Sequence, residues 1–253
     1  PIMKYLPLVA SSEIPFVFQY TINNYPRALE QRLVDKQVSL RTFREISEKY
    51  GSRTTVWRYD TIIWSSLTPF SFHIENFREL ANALRGFTDE VIISFLHLYR
   101  KTERNLLLAA RKRGFTWRDP SIDEKRALVS QLVPIAEQCG MQLAICAQPK
   151  LLVSGAEPAH CVDAQRLSSI SGTSNSIPIA GNRPGCMCSK SRDIGEYDTC
   201  PHGCVYCYAV ENHSSAKERF RLHDPASEFL FEPSKLDQID DQNRQLPLFF
   251  DDA

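Results

Sequence analysis

Five of the chain's eight cysteines fall within one stretch, residues 185–209, which reads G-C-M-C-S-K-S-R-D-I-G-E-Y-D-T-C-P-H-G-C-V-Y-C-Y-A. Cys186 and Cys188 stand as C-x-C, and Cys200, Cys204 and Cys207 as C-x3-C-x2-C. With no secretory signal visible, thiols packed this densely are expected to bind metal rather than to pair as disulfides. The rest of the chain is organised around this stretch.

Two metals suit the second half of it. A cuboidal iron–sulfur cluster takes ligands from several directions, which a short loop supplies without a regular ladder of backbone hydrogen bonds. Pro201 fixes its own backbone and Gly203 permits positive φ, and both help such a loop form. Tetrahedral Zn²⁺ also takes four thiolates from short loops, and His202 could then replace one cysteine as a ligand. Spacing alone leaves iron–sulfur and zinc both open.

C-x3-C-x-aromatic-C, with Tyr206 as the aromatic, resembles the pattern with which radical S-adenosylmethionine enzymes hold a [4Fe–4S] cluster. The resemblance implies that Cys200, Cys204 and Cys207 bind three irons and that the fourth iron chelates the cofactor's methionine amine and carboxylate. A reduced cluster would then cleave S-adenosylmethionine, and a 5′-deoxyadenosyl radical would take hydrogen from an unknown substrate. Those enzymes usually carry the motif after their first barrel strand, whereas here it follows the last expected one. The alternative is a non-catalytic protein in which a metal only pins the C-terminal segment.

D-I-G-E-Y-D-T-C-P-H-G-C-V-Y-C-Y-A also resembles the signature of the bacterial domain of unknown function 1848 family. The likeness extends upstream through F-Q-Y-T-I-N-N-Y-P-R-A-L-E, V-W-R-Y-D, F-H-I-E-N-F, I-S-F-L-H-L-Y-R-K and C-V-D, covering roughly residues 15–223. Several linked motifs in order make it specific. It implies an iron–sulfur, barrel-type protein and no particular activity. Members usually begin with two further strands and a helix, which here look absent; a barrel without them would expose an edge.

Taken in order, residues 16–22 predict a strand, 38–50 a helix, 54–60 a strand, 71–85 a helix, 91–96 a strand and 101–113 a helix. A capping box, Ser121-x-x-Glu124, opens another helix, which Pro134 should kink, and 142–147 is the last expected strand. Alternating strands and helices argue for an α/β fold with parallel strands, a TIM-like or partial (β/α) barrel, followed by a cysteine-rich C-terminal segment. The expected organisation is a barrel portion at 1–170, a metal-binding segment at 171–223 and a polar tail at 224–253. Short helices are expected at 163–170 and 208–222. A chain of 253 residues with 43% hydrophobic content can bury one sizeable core.

Parallel barrels gather their chemistry at the C-terminal ends of strands. The strand ends here offer Gln19, Thr21 and Asn23, then Arg58 and Asp60, then Ser94 and His97, and finally Cys146 and Gln148. Arg58 and Asp60 share a face of their strand and are the catalytic candidates, able to hold a cofactor carboxylate or ribose; they equally suit a buried ion pair. Gln19, Thr21, Ser94 and Tyr206 are candidate S-adenosylmethionine contacts. His97 reads as a satisfied histidine, and His73 needs no special role. Cys146, Cys161, Cys186 and Cys188 could complete a second, fully ligated cluster, leaving Cys139 as a buried helix residue, although Cys146 and Cys161 also suit an ordinary core.

Thirty basic residues balance thirty acidic ones, so no global charge draws the chain to nucleic acid or membrane. No apolar run approaches a membrane span, and the cytoplasm is the expected compartment. A basic cluster at 100–118 could track a nucleic acid, but reads better as a solvated helix face. In the acidic tail, Gln245, Leu246, Leu248 and Phe249 resemble the Q-L-x-L-F peptide with which bacterial replication and repair proteins bind the sliding clamp. That likeness would place the substrate near DNA.

Overall fold

The computed structural model describes residues 2–173 and 176–227. Five strands form, β1 (Phe18–Thr21), β2 (Thr55–Ile62), β3 (Glu90–Phe95), β4 (Gln142–Ile145) and β5 (Ala156–Pro158), with β-branched and aromatic residues concentrated in the first three. All pair in parallel and lie side by side in chain order. Parallel neighbours need a crossover between them. After α1 (Leu6–Ser11), α2 (Lys36–Tyr50) joins β1 to β2 and α3 (Phe70–Leu84) joins β2 to β3. Two helices, α4 (Arg100–Arg113) and α5 (Ile122–Gln138), join β3 to β4. The chain ends its described course with α6 (Ala164–Ser171) and α7 (His213–Leu222).

The twofold alternation along each strand gives the sheet two unlike faces. Trp57, Tyr59, Val91, Ile93, Leu143 and Ile145 turn to the helices, where Phe43, Phe77, Leu80 and Leu132 meet them in one large core. Val56, Ile92 and Ala144 turn the other way into a small cluster with Cys146 and Ala159, flanked by Val17 and Cys161. The same face continues toward the C-terminal ends as Arg58, Asp60 and Ser94. One register brings this about: Arg58 lies beside Ile92 and Asp60 beside Ser94.

The sheet is open. Among the described residues no further strand pairs with the free edge of β1 or β5, so a closed TIM barrel is not seen. β5 was not foreseen from the sequence: three residues ending in Pro158 carry no periodicity, and pairing with β4 is what makes them a strand. α5 runs through Pro134 without a break, its start fixed by the Ser121–Glu124 capping box, with both of that motif's bonds present. α7 is shorter than expected because Asp198 accepts the backbone N–H groups of Glu211 (2.6 Å) and Asn212 (3.1 Å), which holds that segment in a loop until Asn212 caps the helix. The basic stretch is a solvated helix face, with Arg104, Arg111 and Lys112 exposed. No helix among the described residues is long and apolar enough to cross a membrane. Gln245, Leu246, Leu248 and Phe249 lie outside the described residues.

Candidate functional site

At the C-terminal end of the sheet, four of the expected strand-end residues form one polar network. Arg58 donates to Gln19 Oε1 at 2.6 Å and, through Nε, to Asp60 Oδ2 at 3.1 Å. Ser94 donates to the other oxygen of Asp60, and Gln19 donates to the carbonyl of Cys161. Arg58 and Asp60 thus form an ion pair, with side chains 17% and 21% exposed, so the pair borders open space rather than plugging a core. Burial alone would lower the Arg58 pKa, but Asp60 and Cys161 outweigh it and the guanidinium stays charged. Thr21 is exposed and stands outside the network.

The other end of Arg58 meets the first cysteine group. Its Nη1 donates to Cys161 Sγ at 3.3 Å, Cys161 donates to Cys146 Sγ at 3.4 Å, and Arg183 donates to Cys146 at 3.1 Å. The bond from Cys161, aided by both guanidiniums, holds the Cys146 thiol well below its usual range despite burial. Cys161 is pushed up by the same bond and by burial. Cys186 and Cys188 close the group. Cys188 is buried and accepts the backbone N–H of Val162 at 3.4 Å, while Cys186 lies near enough to feel the charge of Cys146. Gly181 makes this approach feasible: a Cβ there would stand 2.2 Å from the Cys186 carbonyl oxygen, so no other residue fits.

The triplet sits over the start of the sheet. Val205 N–H donates to the Leu29 carbonyl at 3.0 Å, Arg32 N–H to that of His202 at 3.0 Å, and Glu30 and Cys204 form an antiparallel bridge. Tyr206 is 9% exposed and turns into the core, where its hydroxyl donates to Glu30 and accepts from Asn23 at 3.2 Å. These bonds anchor the loop. Burial, and after it Glu30, pushes Cys204 up to about 12. A hydrogen bond with His202 lowers Cys200 and raises His202. Burial raises Cys207, which also feels Cys200.

Tyr208 directly follows Cys207 in the chain. Its ring lies 6.2 Å from that of Tyr99, and its hydroxyl feels Arg183, Asp60 and Arg58. Among the described residues no set of three or more His, Cys, Asp or Glu side chains closes on a point that could hold a metal ion. The sequence did not reveal Arg183, Glu30 or Tyr208 as members of the site. Arg183 lies in a Gly/Pro/Asn-rich loop without period, and Glu30 follows β1 by nine residues. Two other strand-end candidates serve structure. Gln148 extends the ladder by exchanging bonds of 2.7 and 3.0 Å with the backbone of Phe95. His97 is exposed and packs on Tyr99, not satisfied inside the protein.

Fold and site together define an open, parallel α/β protein whose cysteine-rich segment folds back over the C-terminal ends of its strands. The model of one family, described as a domain of unknown function (DUF1848), matches residues 1–209, a span that includes all eight cysteines. The chain belongs to that family. No curated protein and no solved structure matches it.

Proposed function

We propose that this protein is an iron–sulfur enzyme of the radical S-adenosylmethionine type, built on a sector of a (β/α) barrel, with Cys200, Cys204 and Cys207 as its cluster ligands. One observation carries the reading. The triplet comes late in the chain, yet its loop packs on the connection that follows β1, through Leu29, Glu30 and Arg32, at the C-terminal end of the sheet. That is the end of a parallel sheet where reactive groups collect.

The donor set suits such a group. The three thiols are partly buried and feel one another's charge. A cuboidal cluster spreads its thiolates around a larger body than one ion does. When bound, the cluster and cofactor would supply one-electron chemistry that no side chain here can perform. The chain's own residues then do the rest. Arg58 stays charged and orients Asp60, Ser94 holds the second Asp60 oxygen, and Gln19 fixes the arginine from β1. An oriented carboxylate beside a guanidinium suits ribose hydroxyls and an amino-acid carboxylate. Tyr206 and Val205 serve by seating the loop.

A second reading draws on that same seating: Val205 and Tyr206 are buried deeply enough for the metal to act only as a staple holding the segment to the sheet. One experiment separates the two. Protein purified without oxygen is analysed for metal, reduced, and incubated with S-adenosylmethionine. The enzyme reading expects iron, sulfide and 5′-deoxyadenosine, with the last abolished by Cys200→Ala, Cys204→Ala or Cys207→Ala while the fold is kept. Zinc in the triplet, or a full cluster that never yields 5′-deoxyadenosine, defeats it.

A further inference from the structure

Two cysteines outside the triplet meet where β4 and β5 end. Cys146 directly follows β4, and Cys161 comes three residues after β5. Backbone bonds continue past both strands: the Ala159 N–H donates to the Ile145 carbonyl at 2.9 Å, and the Cys146 N–H donates to the Ile93 carbonyl at 2.9 Å. The sheet therefore holds the chain rigidly at Cys146 and close to Cys161. Both thiols are free, and Cys161 donates to Cys146 Sγ at 3.4 Å. They pack with Val56, Ile92, Ala144 and Ala159 on the sheet face turned away from the large core. Cys146 is buried and Cys161 is partly exposed, so the pair has one side toward solvent. A cation touches each sulfur, Arg183 at 3.1 Å from Cys146 and Arg58 at 3.3 Å from Cys161. Cysteines that serve only as small apolar fillers need no such partners.

From this geometry we infer that Cys146 and Cys161 are a redox pair, which a hydroperoxide converts to a disulfide. The sulfurs need only close from 3.4 Å to about 2.05 Å. A guanidinium beside a thiol favours the thiolate, the form that attacks an oxidant. Cys146 accepts from both Cys161 and Arg183 and is therefore the attacking sulfur, with Cys161 as its resolving partner. Cys146 attacks one oxygen of the hydroperoxide: an S–O bond forms, the O–O bond breaks, and the departing oxygen takes up the proton lost from Cys146. Cys161 then attacks the Cys146 sulfur: the S–S bond forms, the S–O bond breaks, and hydroxide leaves with the Cys161 proton as water. Two thiols are oxidised and one hydroperoxide is reduced, to water or an alcohol, and a thiol reductant reverses the change by exchange. Arg58 touches both Cys161 and Asp60, so this modification borders the candidate site without involving the triplet.

The test maps which sulfurs join. Full-length protein is purified without oxygen, treated with hydrogen peroxide equimolar to the chain, alkylated at low pH and digested without reductant. Mass spectrometry is expected to find the Cys146 and Cys161 peptides joined, lighter than their sum by the two lost hydrogens, before any other pair among the eight cysteines. Dithiothreitol should return both as free thiols. The Cys161→Ser variant should stop at the sulfenic acid of Cys146, which dimedone traps.

Should Cys161→Ser unfold the chain, Arg183→Gln decides. It keeps every thiol and removes one donor to Cys146, so the link should form about tenfold more slowly while far-ultraviolet circular dichroism stays unchanged. The wild-type map involves no replacement and reads the pair even where a variant fails to fold. The inference is overturned if Cys146 and Cys161 stay free at peroxide levels that oxidise other cysteines, if either joins a different partner such as Cys186 first, or if folded Arg183→Gln protein is oxidised as fast as wild type. Failure of the link leaves the radical reading untouched, and absence of 5′-deoxyadenosine leaves the link untouched.

Discussion

Both ring nitrogens of His73 are committed inside the core. Nε2 lies 3.0 Å from the Ile63 carbonyl, which can only accept, so Nε2 carries the proton and Nδ1 accepts from the Tyr59 hydroxyl at 2.9 Å. Tyr59 in turn accepts from Asn76 at 3.1 Å, and Asn76 donates to the Asn23 carbonyl at 2.7 Å. The residue read from sequence as needing no role is thus a hub, fully buried, and burial lowers its pKa from 6.5 to about 4. The unfolded chain binds this proton below 6.5 and the folded chain does not until about 4, so stability falls as pH drops through that window. The whole effect amounts to about 3 kcal/mol. His73→Phe should unfold more easily at neutral pH, since the Ile63 carbonyl loses its partner at a cost of about 1–3 kcal/mol. Its melting temperature should then fall less steeply than that of wild type between those pH values. Parallel curves for the two proteins would refute the assignment.

At the scale of elements, α6 is held by one side chain. Arg166, with its side chain 8% exposed, donates to the Arg53 carbonyl at 2.9 Å, to Glu90 at 3.1 Å, and to Asp89. These groups lie at the N-terminal ends of β2 and β3, so the arginine ties the helix to the sheet end opposite the site. Arg166→Met should cost on the order of 2 kcal/mol, less than a fully buried pair because Asp89 and Glu90 retain some solvent. Hydrogen exchange in α6 should speed up more than exchange in α3. Uniform loss of protection across both helices would mean that Arg166 does not act locally.

This element also shows what the sequence could and could not disclose. α2, α3, α4 and α5 and the first four strands were legible because apolar period, caps and glycine stops agree over many residues. β5 and α1 were not, being too short for a period. The site divides in the same way. Gln19, Arg58, Asp60 and Ser94 could be placed together because strand ends in a parallel sheet must be neighbours. Arg183 and Glu30 could not, because loops without period bring them in. The motif position of Tyr206 likewise says nothing of its burial or of its bond to Glu30. Chain order puts the triplet last, whereas its loop packs on the connection that follows β1.

For the whole molecule, the remaining question is where it works, and the pentapeptide Gln245–Leu246–Pro247–Leu248–Phe249 offers an answer outside the described residues. Its likeness to the sliding-clamp peptide supplies the chemistry of a short docking motif: Leu248 and Phe249 for an apolar pocket, and the Gln245 amide for a hydrogen bond at the rim. Seventeen residues separate Ser227 from Gln245. Fully extended, a segment of that length reaches at most roughly 60 Å, against a radius of gyration of about 18 Å for a domain of this size. Short motifs of this kind bind with dissociation constants on the order of micromolar. We propose that the tail recruits the protein to the clamp, which would make a nucleic-acid lesion or modified base a credible substrate. A labelled peptide spanning 240–253 should bind the clamp saturably in a titration, and full-length protein should compete with it. The same peptide with Leu248→Ala and Phe249→Ala should bind at least tenfold more weakly, about 1.4 kcal/mol. Equal binding by the two peptides, or none at high micromolar concentration, would remove the link to DNA and leave the iron–sulfur proposal to stand on its own test.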